Sequence, residues 1–259
     1  MKKLIRLVKE AIFAVRFYKN WWTYIFERFG AFGERTILIK LRNGLNYRIN
    51  TNTSDVRVLN ELWNLGIYDR LKSFVSENGT VVDIGGHIGV FTAKAASWGR
   101  NVRVFSYEPM PKNFELLKEN IALNHFENRI TPTQAAVADT AGTLTLYVRK
   151  HESGGGSLYK KENAEDGVAI AVNTVTLKDV FDKHGITQCD FMKIDCEGGE
   201  VPILTTAPRE LFPKIRSMSI EWHEELTSIP RAEFMKFLES VGYSVSFNMP
   251  TGTIYAERK

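Results

Sequence analysis

Between Val81 and Gly89 the chain reads Val-Val-Asp-Ile-Gly-Gly-His-Ile-Gly, an apolar run that stops at a carboxylate and two adjacent glycines. Such a run predicts a buried strand, a tight turn and then a helix, the place where doubly wound α/β folds seat an adenosine. Without side chains, Gly85, Gly86 and Gly89 let a ligand come close to the backbone. A dinucleotide fingerprint wants glycine at its first, third and sixth positions, and Ile84 occupies the first, so the match to a pyrophosphate cradle is imperfect. Asp83 weighs the same way, since a carboxylate there repels a pyrophosphate and attracts the ammonium and sulfonium of S-adenosylmethionine. Glu108 stands 22 positions after Gly86, near the spacing at which an acid reaches both ribose hydroxyls. Pro109, at the same cofactor edge, and Pro111 end the second strand and open a helix, which holds that carboxylate in place.

A second constellation follows the strand Phe191 to Asp195. Lys193, Asp195 and Glu197 alternate onto one side if the extended backbone continues, and Gly198-Gly199 then turns the chain into a helix near Glu200. Glu221 and His223 share a face of the next strand by the same two-residue period, also at the carboxyl edge where open α/β sheets bind ligands. Methyl transfer from sulfur to oxygen is an in-line displacement, so an enzyme must position the acceptor and remove its proton. His223, ordinarily titrating near ~6.5, is then the expected base, oriented by Glu197 or Glu221, with Lys193 completing the catalytic set. Asp195 counts with the cofactor-binding residues. Asp195, Glu197, Glu221 and His223 also form a candidate ligand set for Mg²⁺ or Mn²⁺, which would bind the acceptor hydroxyl and lower its pKa. A purely structural histidine stays open as the alternative for His223.

The elements that must position these groups are readable. Alternating strand, turn and helix runs from Thr80 to Ile84, His87 to Trp98, Val102 to Tyr107 and Pro111 to Leu123, with a third strand at Ile130 to Val137, which implies a parallel sheet. An excursion from Thr143 to Thr176 reads as a hairpin whose tip holds Ser153-Gly154-Gly155-Gly156-Ser157. Leu177 to His184 is a helix stopped by Gly185. Met218 to Trp222 is a strand, Arg231 to Val241 a helix, and Tyr243 to Phe247 with Thr253 to Ala256 an antiparallel closing pair. Upstream, Thr36 to Arg42 and Leu45 to Ile49 flank Asn43-Gly44, the pair favoured in a type I′ hairpin, and Asp55 to Leu65 is a helix ending before Gly66. The expected fold is therefore α/β and Rossmann-like, mostly parallel with an antiparallel C-terminal strand, plus an N-terminal helix and hairpin. Residues 1–50 form the appendage and 51–259 the catalytic domain.

Composition narrows the function classes. The 259 residues are 44% hydrophobic and 25% charged, as in ordinary globular chains. Two cysteines, Cys189 and Cys196, make neither a zinc knuckle nor a disulfide scaffold and fit a cytoplasmic protein. No apolar run approaches the ~18 residues of a membrane span. Residues 1–35 hold eight Lys and Arg against three acids, a surplus of five, whereas the whole chain carries +4, leaving the body at −1. That distribution argues against a nucleic-acid partner. In residues 1–29, Leu4, Val8, Ala11, Val15, Tyr18, Trp22, Ile25 and Phe29 follow a helical stripe. The expected single helix packs on its own domain or a sister copy, or lies peripherally on the inner membrane face.

The segments DIGGHIG, YEPMPKNFELLKEN, AVAD, DFMKIDCEGGE and IEWH, in this order, resemble the FkbM-type methyltransferases over roughly residues 55–256. The resemblance implies a class I methyltransferase fold and O-methylation of a hydroxyl on a sugar or natural product. It implies that Asp83, Gly85, Gly86 and Gly89 hold the methionine part, Glu108 the ribose, and Ala136 with Val137 the adenine neighbourhood. His87 departs from the Asn or Ala common at its position and receives no role. The acceptor expected is a small molecule or carbohydrate, and Arg149, Lys150, Lys160 and Lys161 leave an anionic one open. The alternatives are a nicotinamide-dependent oxidoreductase, which shares the glycine turn and distal acid, and a catalytically inactive binding protein on the same fold.

Overall fold

The apolar stripe predicted as one N-terminal helix is interrupted at Tyr18 in a computed structural model that describes residues 11–149, 156–157, 167–227 and 229–259. Residues 11–17 are helical, Tyr18 bridges to Leu41, and a new helix, α1 (Trp21–Arg28), begins after Asn20. The break has a long-range cause. The Asn20 amide donates to Leu38 O at 2.7 Å and its oxygen accepts from Lys40 N at 2.8 Å, pairing residues 18–20 with an otherwise open strand edge. Residues 1–10 of the expected helix lie outside the described residues.

That edge belongs to a hairpin of β1 (Thr36–Lys40) and β2 (Asn46–Asn50). Of its loop residues only Gly44 takes a positive φ, +102°, and Leu41 N donates to Leu45 O at 2.8 Å. The turn is a three-residue loop closed by glycine, not the expected type I′ pair, which needs two positive φ values. Next, α2 (Asp55–Asn60) widens into a π-helical turn over Glu61–Leu65, a distortion that recurs at functional sites.

From β3 (Thr80–Ile84) the chain winds through α3 (Val90–Ala96), β4 (Arg103–Tyr107), α4 (Pro111–Leu123) and β5 (Ile130–Thr133). The strand expected to continue to Val137 breaks there, because β6 (Ala136–Ala138) leaves for a second sheet. That sheet contains β7 (Gly142–Arg149), β8 (Gly156–Ser157) and β9 (Gly167–Thr176), with β7 and β9 antiparallel as the excursion predicted. Ser153, Gly154, Gly155, Lys150, Lys160 and Lys161 lie outside the described residues. The chain returns through α5 (Leu177–His184), β10 (Phe191–Ile194), α6 (Glu200–Thr205), β11 (Ser217–Glu221), α7 (Arg231–Ser240), β12 (Tyr243–Asn248) and β13 (Thr253–Arg258). The main sheet has the order β12-β13-β11-β10-β3-β4-β5, parallel except at β13 and β12.

This is the doubly wound α/β architecture expected. Every residue of β3 is buried because both sheet faces are covered. Val81, Val104 and Phe191 face one core with α3, α4 and the hairpin, whereas Val82, Phe105 and Met192 face the other with α5, α6 and α7. The strand order reverses between β3 and β10, the switch point where such sheets bind ligands.

The hairpin is tied to this sheet by one buried amide. Asn120 of α4 accepts from Arg48 N at 2.7 Å and donates to Arg48 O at 3.0 Å and to Ile88 O, in the glycine turn, at 2.7 Å. Truncating it strands three backbone groups, each costing about 1–3 kcal/mol when buried and unpaired. Asn120→Ala should therefore lower unfolding free energy by about 3 kcal/mol in urea titration with an unchanged slope. A loss under ~0.5 kcal/mol would remove the amide from this role.

Candidate functional site

The turn after β3 and the end of β10 are joined by a buried ammonium. Lys193 Nζ donates to Gly85 O at 2.7 Å and lies 3.3 Å from Asp83 Oδ1 and 3.4 Å from Asp195 Oδ2, with its side chain 4% exposed. Burial alone would lower its pKa, but the carboxylates of Asp83, Asp195 and Glu221 more than offset this and raise it, so the lysine stays charged. The approach it secures is very close, since a Cβ on Gly85 would stand 1.8 Å from Asp195 O. Only glycine fits, at a φ of +85°.

Asp83 is part of this clamp and not of the ligand surface. It is fully buried, and its Oδ2 accepts from Thr92 Oγ1 at 2.5 Å and from Ser106 Oγ at 3.3 Å. Of the site residues expected from the sequence, Asp83, Gly89 and His223 do not line the cleft. Two-residue periodicity gives the side of a strand a residue faces, not its depth below the surface. Gly85, Gly86, Glu108, Pro109, Ala136, Val137, Lys193, Asp195, Glu197 and Glu221 do line it, so most of the expected site residues converge.

At one end of the cleft, Glu108 Oε2 accepts from His87 N at 2.8 Å and Oε1 from Met110 N at 2.9 Å. Burial pushes its pKa up to about 7, although those backbone donors act against the shift. Ala136, Val137, Ala138, Leu146 and Met110 supply an apolar wall beside it. Leu146 and Met110 carry no sequence signal, because the second sheet that delivers Leu146 is fixed only by folding.

At the other end, Asp195, Glu221 and His223 bring ligand-type atoms within 4.8 Å of one another. His223 Nδ1 lies 2.7 Å from Glu200 Oε1, and Nε2 lies 3.8 Å from Glu197 Oε2. Glu200, fully buried, also accepts from Cys196 N at 3.2 Å and Gly198 N at 2.9 Å, which folds it back over the Gly198-Gly199 turn. Its role went unread, although an acid in the first turn of a helix was the available signal. Burial opposes a charge on His223, but the hydrogen bond and charge of Glu200, with Asp195 and Glu197, raise its pKa to about 10. The imidazole is therefore a cation in the free protein, not the neutral base expected from its ordinary pKa. The Asp195 charge first, and burial second, raise Glu221 to about 8, while Lys193 and His223 outweigh burial and hold Asp195 below its usual range.

The wall between the two ends was not read from sequence. Arg57, Glu61, Tyr68 and His87 all face the cleft. The Tyr68 hydroxyl stands 3.5 Å from Asp195 Oδ2 and 3.4 Å from Glu221 Oε2. His87 Nε2 lies 3.4 Å from Asp55 Oδ1. His87 and Glu197 hold left-handed backbone, φ +49° and +52°, which costs non-glycine residues of order 1 kcal/mol or more and clusters at functional sites. In all, the cleft wall presents five carboxyl groups, Glu61, Glu108, Asp195, Glu197 and Glu221, against Arg57 and Lys193. The acidic surface expected from Asp83 exists, built from other residues.

A family model described as the methyltransferase FkbM domain matches residues 83–245. Among relatives, methyltransferase sdnD of Sordaria araneosa is 24% identical over 196 residues, 65% of this chain and 75% of that protein. The 31-O-demethyl-FK506 methyltransferase FkbM of Streptomyces tacrolimicus is 28% identical over 192 residues, 64% and 72%. Among solved structures, M. jannaschii TYW2 in complex with AdoMet aligns with a TM-score of 0.45 at 21% identity, covering 87% of this chain and 88% of that one. Precorrin-6y C5,15-methyltransferase from Geobacter metallireducens GS-15 aligns at 0.44 and 13%, covering 74% and 87%. The family match takes in the glycine turn, Glu108 and the Asp195, Glu221, His223 cluster, and the chain belongs to the FkbM-domain methyltransferases.

Proposed function

We propose that this methyltransferase uses S-adenosylmethionine to methylate a hydroxyl oxygen of a small molecule, a sugar or a natural product. The observation that carries this reading is a single cleft running from Glu108 and an apolar wall, past the glycine turn, to Asp195 and Glu221 beside His223. The residues present fit the donor. Glu108 would accept from the ribose hydroxyls, Ala136 to Ala138 with Leu146 would flank the adenine, and the carboxylate-rich wall favours a cation over a pyrophosphate. When bound, S-adenosylmethionine supplies a methyl carbon on a positively charged sulfur, open to in-line attack by oxygen.

The chain's own groups then have three tasks. Lys193 fixes the Gly85 turn relative to Asp195, so the donor and acceptor sides keep one geometry. Asp195, Glu221 and Glu61 offer acceptors to acceptor hydroxyls, which suits polyhydroxylated molecules. Glu221 takes the proton as the oxygen reacts in its ionised fraction, which grows as pH rises through about 8, and charged His223, locked by Glu200, stabilises that carboxylate. The name of the Streptomyces relative, which specifies 31-O-demethyl-FK506, supports oxygen as the nucleophile.

The convergence of Asp195, Glu221 and His223 favours a second version of the same reaction, in which these three hold Mg²⁺ or Mn²⁺. His223 would bind through Nε2 while Glu200 orients the ring through Nδ1, the arrangement common for metal-ligating histidines. The cation would hold the acceptor oxygen and make it more acidic. Activity abolished by EDTA and restored by Mn²⁺ would establish this version, and EDTA-indifferent activity the direct one.

Two further outcomes are expected. Glu108 must be ionised to accept two hydroxyl hydrogen bonds, so S-adenosylhomocysteine affinity, read by calorimetry, should fall as pH drops through about 7, by up to tenfold per unit. Glu108→Gln should weaken binding by about 10-fold to 100-fold and flatten the profile; a pH-independent wild type would remove Glu108 from ribose binding. Glu221→Gln and His223→Ala should each lower labelled-methyl transfer to a panel of sugars and hydroxylated natural products by about 10²-fold or more. S-adenosylhomocysteine affinity should stay within about twofold. Wild-type rates in both variants would contradict the assignment.

A further inference from the structure

Eight large apolar side chains of the described residues are exposed, and six fall within residues 12–29: Ile12, Val15, Trp21, Trp22, Phe26 and Phe29. Their concentration is not scattered surface. In α1, Tyr24 is fully buried and Glu27 nearly so, while Trp22, Phe26 and Phe29, spaced by four and three, stand outward at 51%, 53% and 69% exposure. A helix apolar on both sides is normally covered on both. Its inner side packs on the β1–β2 hairpin, and nothing among the described residues covers the outer one.

The surrounding charge says what does. Within residues 11–42 the exposed charged residues include Arg16, Lys19, Arg35, Lys40 and Arg42, against a single exposed acid, Glu34. Two of these cations are fixed beside the apolar side chains. Arg42 Nε donates to Val15 O at 3.0 Å, and Arg35 lies over the Phe32 ring, which meets Phe26 edge-on. None of the six apolar residues lines the cofactor cleft or the second cleft beside Asn43 and Arg129.

We infer that this surface, Ile12 to Phe29 with its cationic rim, docks the enzyme on an anionic lipid bilayer. Indole rings suit the boundary between headgroups and acyl chains, and each Lys or Arg near an anionic leaflet adds electrostatic attraction. A second copy is disfavoured, because a two-fold contact sets the same patch against itself and opposes its cations. The surface shares no residue with the cofactor cleft. The inference therefore stands apart from the reading of the reaction.

The test is flotation of the full chain with vesicles of phosphatidylcholine alone and with added phosphatidylglycerol. The wild type should float with the anionic vesicles, with blue-shifted tryptophan emission, and release at high salt. Trp22→Ala with Phe26→Ala, and separately Arg16→Glu with Lys19→Glu, should each lower the bound fraction's partition constant by about tenfold or more. Unchanged melting temperature and S-adenosylhomocysteine binding would show the variants folded. Wild type that fails to float with phosphatidylglycerol vesicles, or floats equally with phosphatidylcholine alone, overturns the inference. So does a concentration-dependent dimer by light scattering that the Trp22 and Phe26 substitutions dissolve, which would assign the face to a second copy.

Discussion

The buried ammonium of Lys193 holds the two halves of the site together. It neutralises Asp83 beneath the glycine turn and Asp195 at the end of β10, and it bonds the Gly85 carbonyl between them. Charges this deep are tolerated only when paired, and removing one partner of such a pair costs about 3–5 kcal/mol. The pairing is possible because β3 and β10 are adjacent parallel strands in register, Lys193 opposite Asp83. It also requires glycine at position 85, where the backbone of Asp195 leaves no room for a side chain. Lys193, which its spacing placed in the catalytic set, thus positions both sides of the cleft.

The acidity of the cleft follows from where the remaining carboxylates end up. Asp83, the acid most prominent in the sequence, is balanced internally, whereas Glu61, Asp195, Glu197 and Glu221 come from three different elements to face one space. Crowded carboxylates raise one another's proton affinity, which explains why Glu221 titrates high and why His223 keeps its proton. Carboxylates lining a cleft favour a cation over a phosphate on electrostatic grounds.

Much of this was legible in the residues. β3, α4 and α5 end where local chemistry ends them, at Gly85, after Pro111 opens α4, and between the Thr176 capping box and Gly185. What was not legible depends on partners distant in sequence. The break at Tyr18 comes from Asn20 bonding β1, 18 and 20 residues on. β5 stops at Thr133 because β6 pairs with β9, nearly 40 residues away. The π-turn that presents Glu61 and the inward fold of Glu200 onto His223 likewise leave no periodic trace. Residue type and spacing placed the strand-end acids at the right edge, and packing decided which of them face the ligand.

The most direct measurement is a crystal structure of the chain with S-adenosylhomocysteine. The account predicts ribose hydroxyls on Glu108, adenine beside Ala136 to Ala138, and the sulfur opening toward Asp195, Glu221 and His223. A ligand whose sulfur turns away from those three residues, or one bound outside the cleft, would contradict it.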